Sequence, residues 1–288
     1  MPRVRCLPEC LIGIALLSPI VLAEPPSDEL PAEITLRIPG TTVPFDMILC
    51  PPYALETLVN ETTKAISFSA MYTLKTEVTW DLYDIYVYEL DETDGSSPAD
   101  AVSRPSKPYI PPDRGFGHDG YPAIGMTYDA ATGFCEWLRL KTGLEVRLPT
   151  EAEWKYLAVG VSDDDYCCDA SPETLMDFAW FRDNSEFTTH PVAEKLPNGF
   201  GLFDIHGNAA EWVKNDAQKP FAMGGGFQDK TEECTAQSKQ QQLRSWNTSD
   251  PQIPKSSWWL ADCSWVGFRF VINADSIDLD TLKEFTHE

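Results

Sequence analysis

Helix signals stop about halfway along this chain. Patterns that start, cap and end helices lie before Val161, and turn residues with scattered aromatic side chains dominate from there to about Val271. Such a stretch has few regular elements to pack, so its loops must be fixed by buried tryptophans, disulfides or metal ions. The pattern predicts an α+β fold, a single domain with sparse regular secondary structure.

The first half carries strand and helix patterns. Glu33–Ile38 alternates apolar and polar side chains, as expected for a half-buried strand. The Thr79 hydroxyl is placed to cap a helix that starts at Trp80, where apolar residues recur at helical spacing. Two further strands and one long loop are predicted at Ala65–Ser69, Tyr72–Val78 and Asp91–Pro112.

The clearest helix is predicted at Tyr128–Lys141, whose apolar residues form one stripe. Thr127 can cap its start, and Gly143 marks its end. Thr150 and Glu153 then form a Thr-x-x-Glu capping box, which predicts a second, shorter helix.

The N-terminus has the organisation of a secretory signal peptide over residues 1–23. Arg3 and Arg5 give it a positive start, and an apolar run follows at Leu11–Leu22. A membrane anchor is the alternative, but the run is shorter than the ~20 residues of a spanning helix and Pro19 interrupts it. We expect an exported protein, periplasmic or extracellular, with no membrane span after signal removal. The expected boundaries are a flexible lead-in at 24–32, the folded domain at 33–272 and an acidic tail at 273–288.

Acidic residues dominate the charge, which is −23 at neutral pH. A surface of that sign repels nucleic acid and anionic lipid, whose binding needs basic patches, and it attracts divalent cations. Outside the cytosol cysteines can form disulfides, but the six beyond the signal allow many pairings and the sequence does not choose among them. These six are Cys50, Cys135, Cys167, Cys168, Cys234 and Cys263.

One segment, Gly201–Trp212, places two carboxylates around a turn. Asp204 and Glu211 stand seven residues apart, and the backbone carbonyls of Gly207 and Ala209 between them can point inward. Carboxylate and carbonyl oxygens are the ligands that calcium takes in proteins. The alternative is an ordinary turn in which the Asp and Asn side chains bond the backbone, and spacing alone leaves both open.

Six motifs follow one another along the chain: TEVTW (Thr76–Trp80), YPAIGMTYDAATGFCEWL (Tyr121–Leu138), RLPTEAEWKYLA (Arg147–Ala158), PNGFGLFDIHGNAAEW (Pro197–Trp212), GGGF (Gly224–Phe227) and VGFRFV (Val266–Val271). In this order they resemble the formylglycine-generating enzyme, or sulfatase-modifying factor, family. The resemblance covers about residues 33–272 and implies a fold similar to that of C-type lectins, which agrees with the irregular second half. It also implies a calcium ion held by the side chains of Asp204 and Glu211 and the carbonyls of Gly207 and Ala209.

The resemblance implies a specific oxidation chemistry as well. The best-known members of the family oxidise a sulfatase cysteine to formylglycine with molecular oxygen, using copper held by two cysteines after a Gly-Gly-Ser motif. Soft thiolates suit monovalent copper. Here the second cysteine position is Cys234, the candidate catalytic residue, whereas the first is Asp229 and the serine is replaced by Gly226. A carboxylate is a hard ligand, so we expect the usual oxygen-dependent oxidoreductase activity to be lost or altered.

Cys234 has three interpretations on the sequence. It can form a disulfide, with Cys263 as one partner; it can be a lone reactive thiol; or it can belong to a changed metal site with Asp229 and a nearby histidine. The acidic neighbours Glu232 and Glu233 disfavour the reactive thiol, because a reactive cysteine needs an electropositive setting.

Histidine-bound iron, used by another branch of this fold, is not expected. That branch carries its three ligands mostly on an additional helical domain, and the histidines here stand singly, in no His-x-x-x-His pattern. They are His118, His190, His206 and His287.

Tryptophans group near the C-terminal end of the domain. Such rings can form a peptide- or sugar-binding face, or they can fill the core. Trp258 and Trp259 are adjacent, so one of them can reach a cleft, whereas Trp246 and Trp265 complete the group. Two classes of function therefore remain: an oxidoreductase of the formylglycine-generating type with changed chemistry, and a non-catalytic, calcium-stabilised binding module for a protein, peptide or glycan partner.

Overall fold

The structure, a computed structural model, describes residues 30–59, 62–91, 95–108, 110–160, 164–168, 170–214 and 220–277. The predicted signal peptide and most of the predicted lead-in and tail lie outside these ranges. Within them the α-helices are α1 (Trp80–Tyr88), α2 (Tyr128–Thr142) and α3 (Glu151–Val159). The strands are β1 (Glu33–Arg37), β2 (Pro44–Cys50), β3 (Tyr53–Val59), β4 (Thr62–Phe68), β5 (Met71–Leu74), β6 (Val146–Arg147), β7 (Ala210–Trp212), β8 (Phe221–Met223), β9 (Lys239–Gln241), β10 (Val266–Gly267) and β11 (Val271–Asn273).

A five-stranded antiparallel sheet joins the two ends of the domain, in the order β1-β2-β5-β11-β6. Strand β11 lies between β5 and β6, with Ile272 opposite Tyr72 of β5. Strand β1 confirms the predicted strand Glu33–Ile38 and ends one residue earlier. The fold extends past the expected boundary at 272, because Asn273 pairs within β11 and Ile277 is buried.

The other two predicted strands are found with shifted bounds, whereas β2, β3 and the short β6 were not predicted. The prediction Ala65–Ser69 covers part of β4, which forms a two-stranded hairpin with the unpredicted β3. The prediction Tyr72–Val78 is too long, because β5 ends at Leu74. Strand β2 was also missed, although it buries Phe45 and Met47 in alternation with more exposed neighbours.

Helix α2 confirms the clearest helix prediction. Its apolar stripe, which includes Phe134 and Leu138, is buried in the main core. The Thr127 hydroxyl accepts a hydrogen bond from the Ala130 N–H at 3.1 Å. At the other end Gly143 takes a left-handed φ of 73°, a conformation that glycine adopts without steric cost.

The other two helices begin where predicted but differ in their caps. In α3 the Thr150 hydroxyl accepts from the Glu153 N–H at 3.3 Å, and Glu153 Oε2 accepts from the Thr150 N–H at 2.7 Å, so the capping box is confirmed. The cap predicted for α1 is wrong: Thr79 occupies the N-cap position, but its hydroxyl makes no capping bond. The backbone holds this end instead, since the Trp80 N–H donates to the Tyr121 carbonyl at 3.0 Å.

The second half is irregular, as predicted, and is built around a small sheet in the order β10-β7-β8-β9. Strand β7, which ends the Gly201–Trp212 segment, lies between β10 and β8 and is parallel to β10. Buried aromatic side chains such as Trp212, Phe268 and Phe270 fix this half against the helices. None of the helices in the described ranges is long and apolar enough to cross a membrane.

Candidate functional site

The Gly201–Trp212 segment forms a loop that backbone contacts hold in place. Gly207 has a left-handed φ of 75°, and a Cβ at this position would lie 2.2 Å from the Trp180 carbonyl oxygen. The next residue, Asn208, bonds the backbone of His190 twice: Oδ1 accepts from its N–H at 3.0 Å, and Nδ2 donates to its carbonyl at 3.2 Å. The loop therefore requires glycine at position 207.

Asp204 is buried and has one carboxylate oxygen without a partner. Its Oδ2 accepts from the Ala193 N–H at 2.7 Å, whereas Oδ1 meets no donor among the described residues. Burial raises the pKa of Asp204 to about 6; Glu211 raises it further, while the Ala193 bond and Arg269 oppose the rise. A buried carboxylate with an unpaired oxygen has room for a cation or another donor.

Glu211, in β7, is fully occupied by two other side chains. Its Oε1 accepts from Arg269 Nε at 3.0 Å and from Nη2 at 2.9 Å, and its Oε2 accepts from Arg269 Nε at 3.2 Å and Trp154 Nε1 at 2.8 Å. Arg269 is itself wholly buried and also donates to the carbonyls of Leu74 and Phe203. Protein donors therefore use the acceptor positions of Glu211.

Glu77 belongs to the same buried cluster, although sequence reasoning did not single it out. Its Oε1 accepts from the Ala209 N–H at 3.2 Å, whereas its Oε2 has no partner among the described residues. Burial raises the pKa of Glu77 well above its ordinary value, and Asp204 and Glu211 raise it further. Its place in TEVTW, one of the six motifs, was the signal that could have marked it.

The cluster meets the predicted calcium ligand set in part. Three buried carboxylates surround one guanidinium, that of Arg269, so negative charge exceeds positive charge when all are ionised. Asp204 fits a ligand, because its Oδ1 is free; Glu211 fits poorly, because Arg269 holds it. Within the described ranges no three His, Cys, Asp or Glu side chains form a metal-binding group, so carbonyls such as those of Gly207 and Ala209 must complete any site. The ligand set stays a prediction.

Asp229 is committed to a turn and does not present a free ligand. Its Oδ2 accepts from the Gly226 N–H at 2.8 Å and also from Gln240 Nε2. Gln240 Oε1 accepts in turn from Trp265 Nε1 at 2.6 Å. Burial raises the pKa of Asp229, although these bonds oppose the rise. The carboxylate thus organises the chain around Gly226.

Cys234 lies behind the same turn with no exposed surface. It packs in an apolar cluster that includes Tyr166 and Phe181, and its Sγ donates to the Gly226 carbonyl at 3.9 Å. Burial raises the pKa of the Cys234 thiol above its usual range, and the nearby Asp229 carboxylate raises it further. The thiol is therefore protonated at neutral pH, and the reactive-thiol interpretation loses support.

The structure records the six cysteines beyond the predicted signal as free thiols. Cys234 and Cys263 are both buried and are not bonded to each other, so the predicted disulfide gains no support. Cys168 is exposed, in contrast to its buried neighbour Cys167.

The residues around Gly226 do not fit a two-cysteine copper site. One of the two positions holds Asp229, whose carboxylate is a hard ligand already bonded to the backbone and to Gln240. The other holds Cys234, a buried and protonated thiol. Gly226, at the position where the resemblance expects a serine, has no hydroxyl to offer.

His206 is an unexpected feature of the loop. It is wholly buried, and neither ring nitrogen has a hydrogen-bond partner among the described residues. Its ring meets the rings of Trp154 and Tyr166 at centroid distances of 6.4 and 6.2 Å, and burial lowers its pKa to about 4, which keeps it neutral. His118 and His190 stack on other tryptophans, so in this part of the chain no histidine cluster forms.

Of the four tryptophans near the C-terminus, three pack in or against the core and one, Trp259, lines a cavity. Trp246 and Trp265 contact each other edge to face beside the core. Trp258 packs against the core near Gly133, whereas the half-buried Trp259 lines a cavity of about 160 Å³.

These features agree with one family of proteins. The profile of the sulfatase-modifying factor enzyme 1-like domain matches residues 24–274. The chain therefore belongs to this family, and the α+β, formylglycine-generating-enzyme-like fold predicted from the six motifs is confirmed.

Particular relatives match over shorter stretches. The chain is 33% identical over 100 residues to the serine/threonine-protein kinase pkn1 of Chlamydia pneumoniae, which is 34% of this chain and 14% of that protein. It is 32% identical over 108 residues to the formylglycine-generating enzyme of Mycobacterium tuberculosis, 34% of each chain. The match thus spans about a third or less of these relatives.

Solved structures match over most of the chain. Treponema denticola variable protein 1 superposes with a TM-score of 0.60 at 22% identity, covering 85% of this chain and all of that one. PvdO from Pseudomonas aeruginosa gives a TM-score of 0.55 at 17% identity, covering 82% and 99%. At these identities the likeness shows the fold alone.

Proposed function

We propose that this chain is an exported, non-catalytic member of the sulfatase-modifying factor family that binds a protein or peptide on a calcium-stabilised scaffold. The observation that carries the proposal is the arrangement around Gly226. Asp229 replaces a copper-binding cysteine and is tied to the turn, and Cys234 is buried as a protonated thiol. Two soft, accessible thiolates are what monovalent copper needs, and this site provides neither.

The test of lost catalysis is a copper and turnover assay on the reduced mature protein. We expect no stoichiometric binding of monovalent copper against a competing chelator, and no conversion of a peptide with the sulfatase Cys-x-Pro-x-Arg pattern. The Mycobacterium tuberculosis formylglycine-generating enzyme is the positive control. One equivalent of bound copper, with turnover that disappears in Cys234→Ser, would overturn the proposal.

Copper-dependent turnover in that assay would support the second candidate function. This candidate is an oxygen-dependent oxidoreductase of the formylglycine-generating type, and the match of the family profile to residues 24–274 favours it because the profile spans nearly all of the predicted domain. A changed copper site using Cys234 with Asp229 would then carry the chemistry. The assay above separates the two candidates directly.

The calcium part of the proposal rests on the buried carboxylates. Within the described ranges Asp204 Oδ1 and Glu77 Oε2 lack donors, and the guanidinium of Arg269 faces three carboxylates. A calcium ion takes carboxylate and carbonyl oxygens and supplies the missing positive charge. Asp204 would bind it with the carbonyls of Gly207 and Ala209, and Glu211 would support the site while it stays bound to Arg269.

Calcium binding is tested by thermal unfolding with calcium or with a chelator. We expect calcium to raise the midpoint of the native protein and to have no such effect on Asp204→Asn. The exposed carboxylate of Asp183 offers a matched control, and Asp183→Asn should keep the full response. An equal midpoint with calcium and with chelator would remove calcium from the proposal.

Export is proposed from the signal-peptide pattern of residues 1–23. Expression of the full chain in a bacterial host, followed by intact mass measurement of the exported fraction, should give a protein that starts at Glu24. An uncleaved, cytoplasmic product would contradict this part.

A further inference from the structure

A cavity of about 160 Å³ opens between three loops and shares no lining residue with the carboxylate cluster or the Cys234 turn. Its walls are mainly apolar. They are made by prolines and by Ile110, Ile124, Trp259 and Leu260, and the half-buried guanidinium of Arg114 lies among them.

The cavity is preformed, because hydrogen bonds join the loops that enclose it. Arg114 Nη2 donates to the Leu260 carbonyl at 2.9 Å, and the Leu260 N–H donates to the Gly125 carbonyl at 2.7 Å. Trp259 Nε1 donates to the Ser106 carbonyl at 2.8 Å, which fixes the indole ring at the wall. A ligand therefore meets a rigid surface and binds without a large ordering cost.

Among the described residues, one buried donor of the cavity lining has no acceptor. The Asp250 carboxylate is used within its own loop, where it accepts from the backbone N–H groups of Gln252 at 2.9 Å and Ser256 at 2.6 Å. In contrast, Arg114 Nε is shielded from solvent and has no acceptor among the described residues. Burial lowers the pKa of Arg114, yet a guanidinium stays charged. The guanidinium carries the one positive charge among the residues that line the cavity, so an anion is the ligand group that it favours.

The size and rim of the cavity indicate what carries that anion. A dry cavity of about 150 Å³ holds one benzene molecule, so this one accepts a single aromatic or branched aliphatic side chain. Ile110 lines the cavity and is 44% exposed, and Ile253, next to the lining residue Gln252, is 98% exposed. These two side chains extend the apolar surface outward, as a ligand longer than one residue would use it.

We propose that this cavity binds the C-terminal residue of a peptide or protein, with its apolar side chain inside and its terminal carboxylate on Arg114. The proposal rests on the proposed binding role and names the ligand for it. A terminal carboxylate combines the anion, the apolar side chain and the chain continuation in one residue, and capture of a C-terminal carboxylate is a recurring mode of peptide recognition. In a chain of net charge −23, the half-buried guanidinium supplies the local attraction.

The experiment measures binding of short peptides by calorimetry and by tryptophan fluorescence, to which Trp259 at the cavity wall contributes. The probes are acetyl-Gly-Gly-X with X as Leu, Ile, Phe or Trp, each as free acid and as amide, and the matching acetyl-X acids without the two glycines. We expect at least one free acid to bind about tenfold or more tightly than its amide, since a hydrogen bond to a charged group is lost in the amide. The same acid should bind more tightly than acetyl-X.

Three variants locate the binding. Arg114→Met should weaken the acid about tenfold to a hundredfold and remove the preference over the amide. Ala261→Leu, which fills the cavity from a lining residue, should weaken acid and amide alike. Arg244→Met changes an exposed arginine outside the cavity and should change nothing.

Each contrary outcome overturns the proposal. The proposal fails if none of the acids binds saturably up to millimolar concentration. It also fails if acid and amide bind equally, or if Arg114→Met keeps the preference for the acid. If acetyl-X binds as tightly as acetyl-Gly-Gly-X, the ligand is a small free carboxylate and not the end of a peptide chain, and the proposal is wrong. Failure here leaves the copper assay on Cys234 unaffected, so it is distinguishable from failure of the proposed function.

Discussion

Arg269 is the side chain on which the buried carboxylate cluster depends most, and its replacement by methionine tests that dependence. Methionine keeps most of the side-chain length and removes the guanidinium. Glu211 then loses three hydrogen bonds from Arg269 and keeps only the one from Trp154 Nε1. The carbonyls of Leu74 and Phe203 lose their donors as well.

The size of the effect follows from the burial of the pair. The side chains of Arg269 and Glu211 are 0% and 1% exposed, so solvent cannot compensate for the loss. Removing one partner of a buried ion pair costs about 3–5 kcal/mol. In a domain of this size that lowers the melting temperature by roughly 6–20 °C. Arg139→Met is the control: its pair with Glu136 is 36% and 47% exposed, so this variant should leave the unfolding free energy nearly unchanged.

Urea unfolding followed by tryptophan fluorescence measures these free energies, and a double variant guards against a single variant that does not fold. Glu211→Gln combined with Arg269→Met removes both charges and keeps an acceptor for Trp154 Nε1. We expect the double variant to be more stable than Arg269→Met alone, because the uncompensated carboxylate is gone. A cost below about 1 kcal/mol for Arg269→Met, or a double variant less stable than it, would refute the reasoning.

Three further predictions concern single residues. Gly207→Ala should lower the unfolding free energy by more than about 2 kcal/mol, because its Cβ would overlap a carbonyl oxygen at a left-handed φ. Gly199→Ala is the control in the same urea titration. A Cβ at Gly199 meets nothing within 4 Å, so this variant should cost under about 1 kcal/mol. His206→Leu should raise the unfolding free energy by about 1–3 kcal/mol, since it removes two buried nitrogens that have no partner among the described residues. A lower unfolding free energy for this variant would mean that the nitrogens are paired after all. Native labelling with a thiol reagent at pH 8 should modify Cys168 and spare Cys234 until the protein unfolds, because burial raises the Cys234 pKa and suppresses its thiolate; fast modification of native Cys168→Ser at Cys234 would contradict this.

Local chemistry explains which parts of the fold the sequence predicted well. The start of α3 depends on Thr150 and Glu153, three residues apart, and the end of α2 depends on Gly143 alone. Such caps are made by neighbours in sequence, so the pattern of residues is sufficient to find them. Thr79 shows the limit: it stands at the right position, but the tertiary contact of Trp80 with Tyr121 takes over the end of the helix.

The candidate site was predictable only in its residue types. Asp204 and Glu211 were found from spacing and resemblance. The sequence did not show that Glu211 is hydrogen-bonded to Arg269, 58 positions away. Nor did it show that Glu77 accepts a hydrogen bond from Ala209, 132 positions away. The same holds for Arg114 and Leu260, which meet at the cavity across 146 positions.

The sequence by itself determined the family and the α+β fold class, and it placed two carboxylates, Asp204 and Glu211, around one turn. These are properties of residues at fixed places along the chain. Only the tertiary structure decided that Cys234 is a buried, protonated thiol, that three carboxylates share one guanidinium, and that Arg114 faces an apolar cavity. Burial and charge pairing arise when distant segments exclude water together, and no spacing along the chain records which segments will do so.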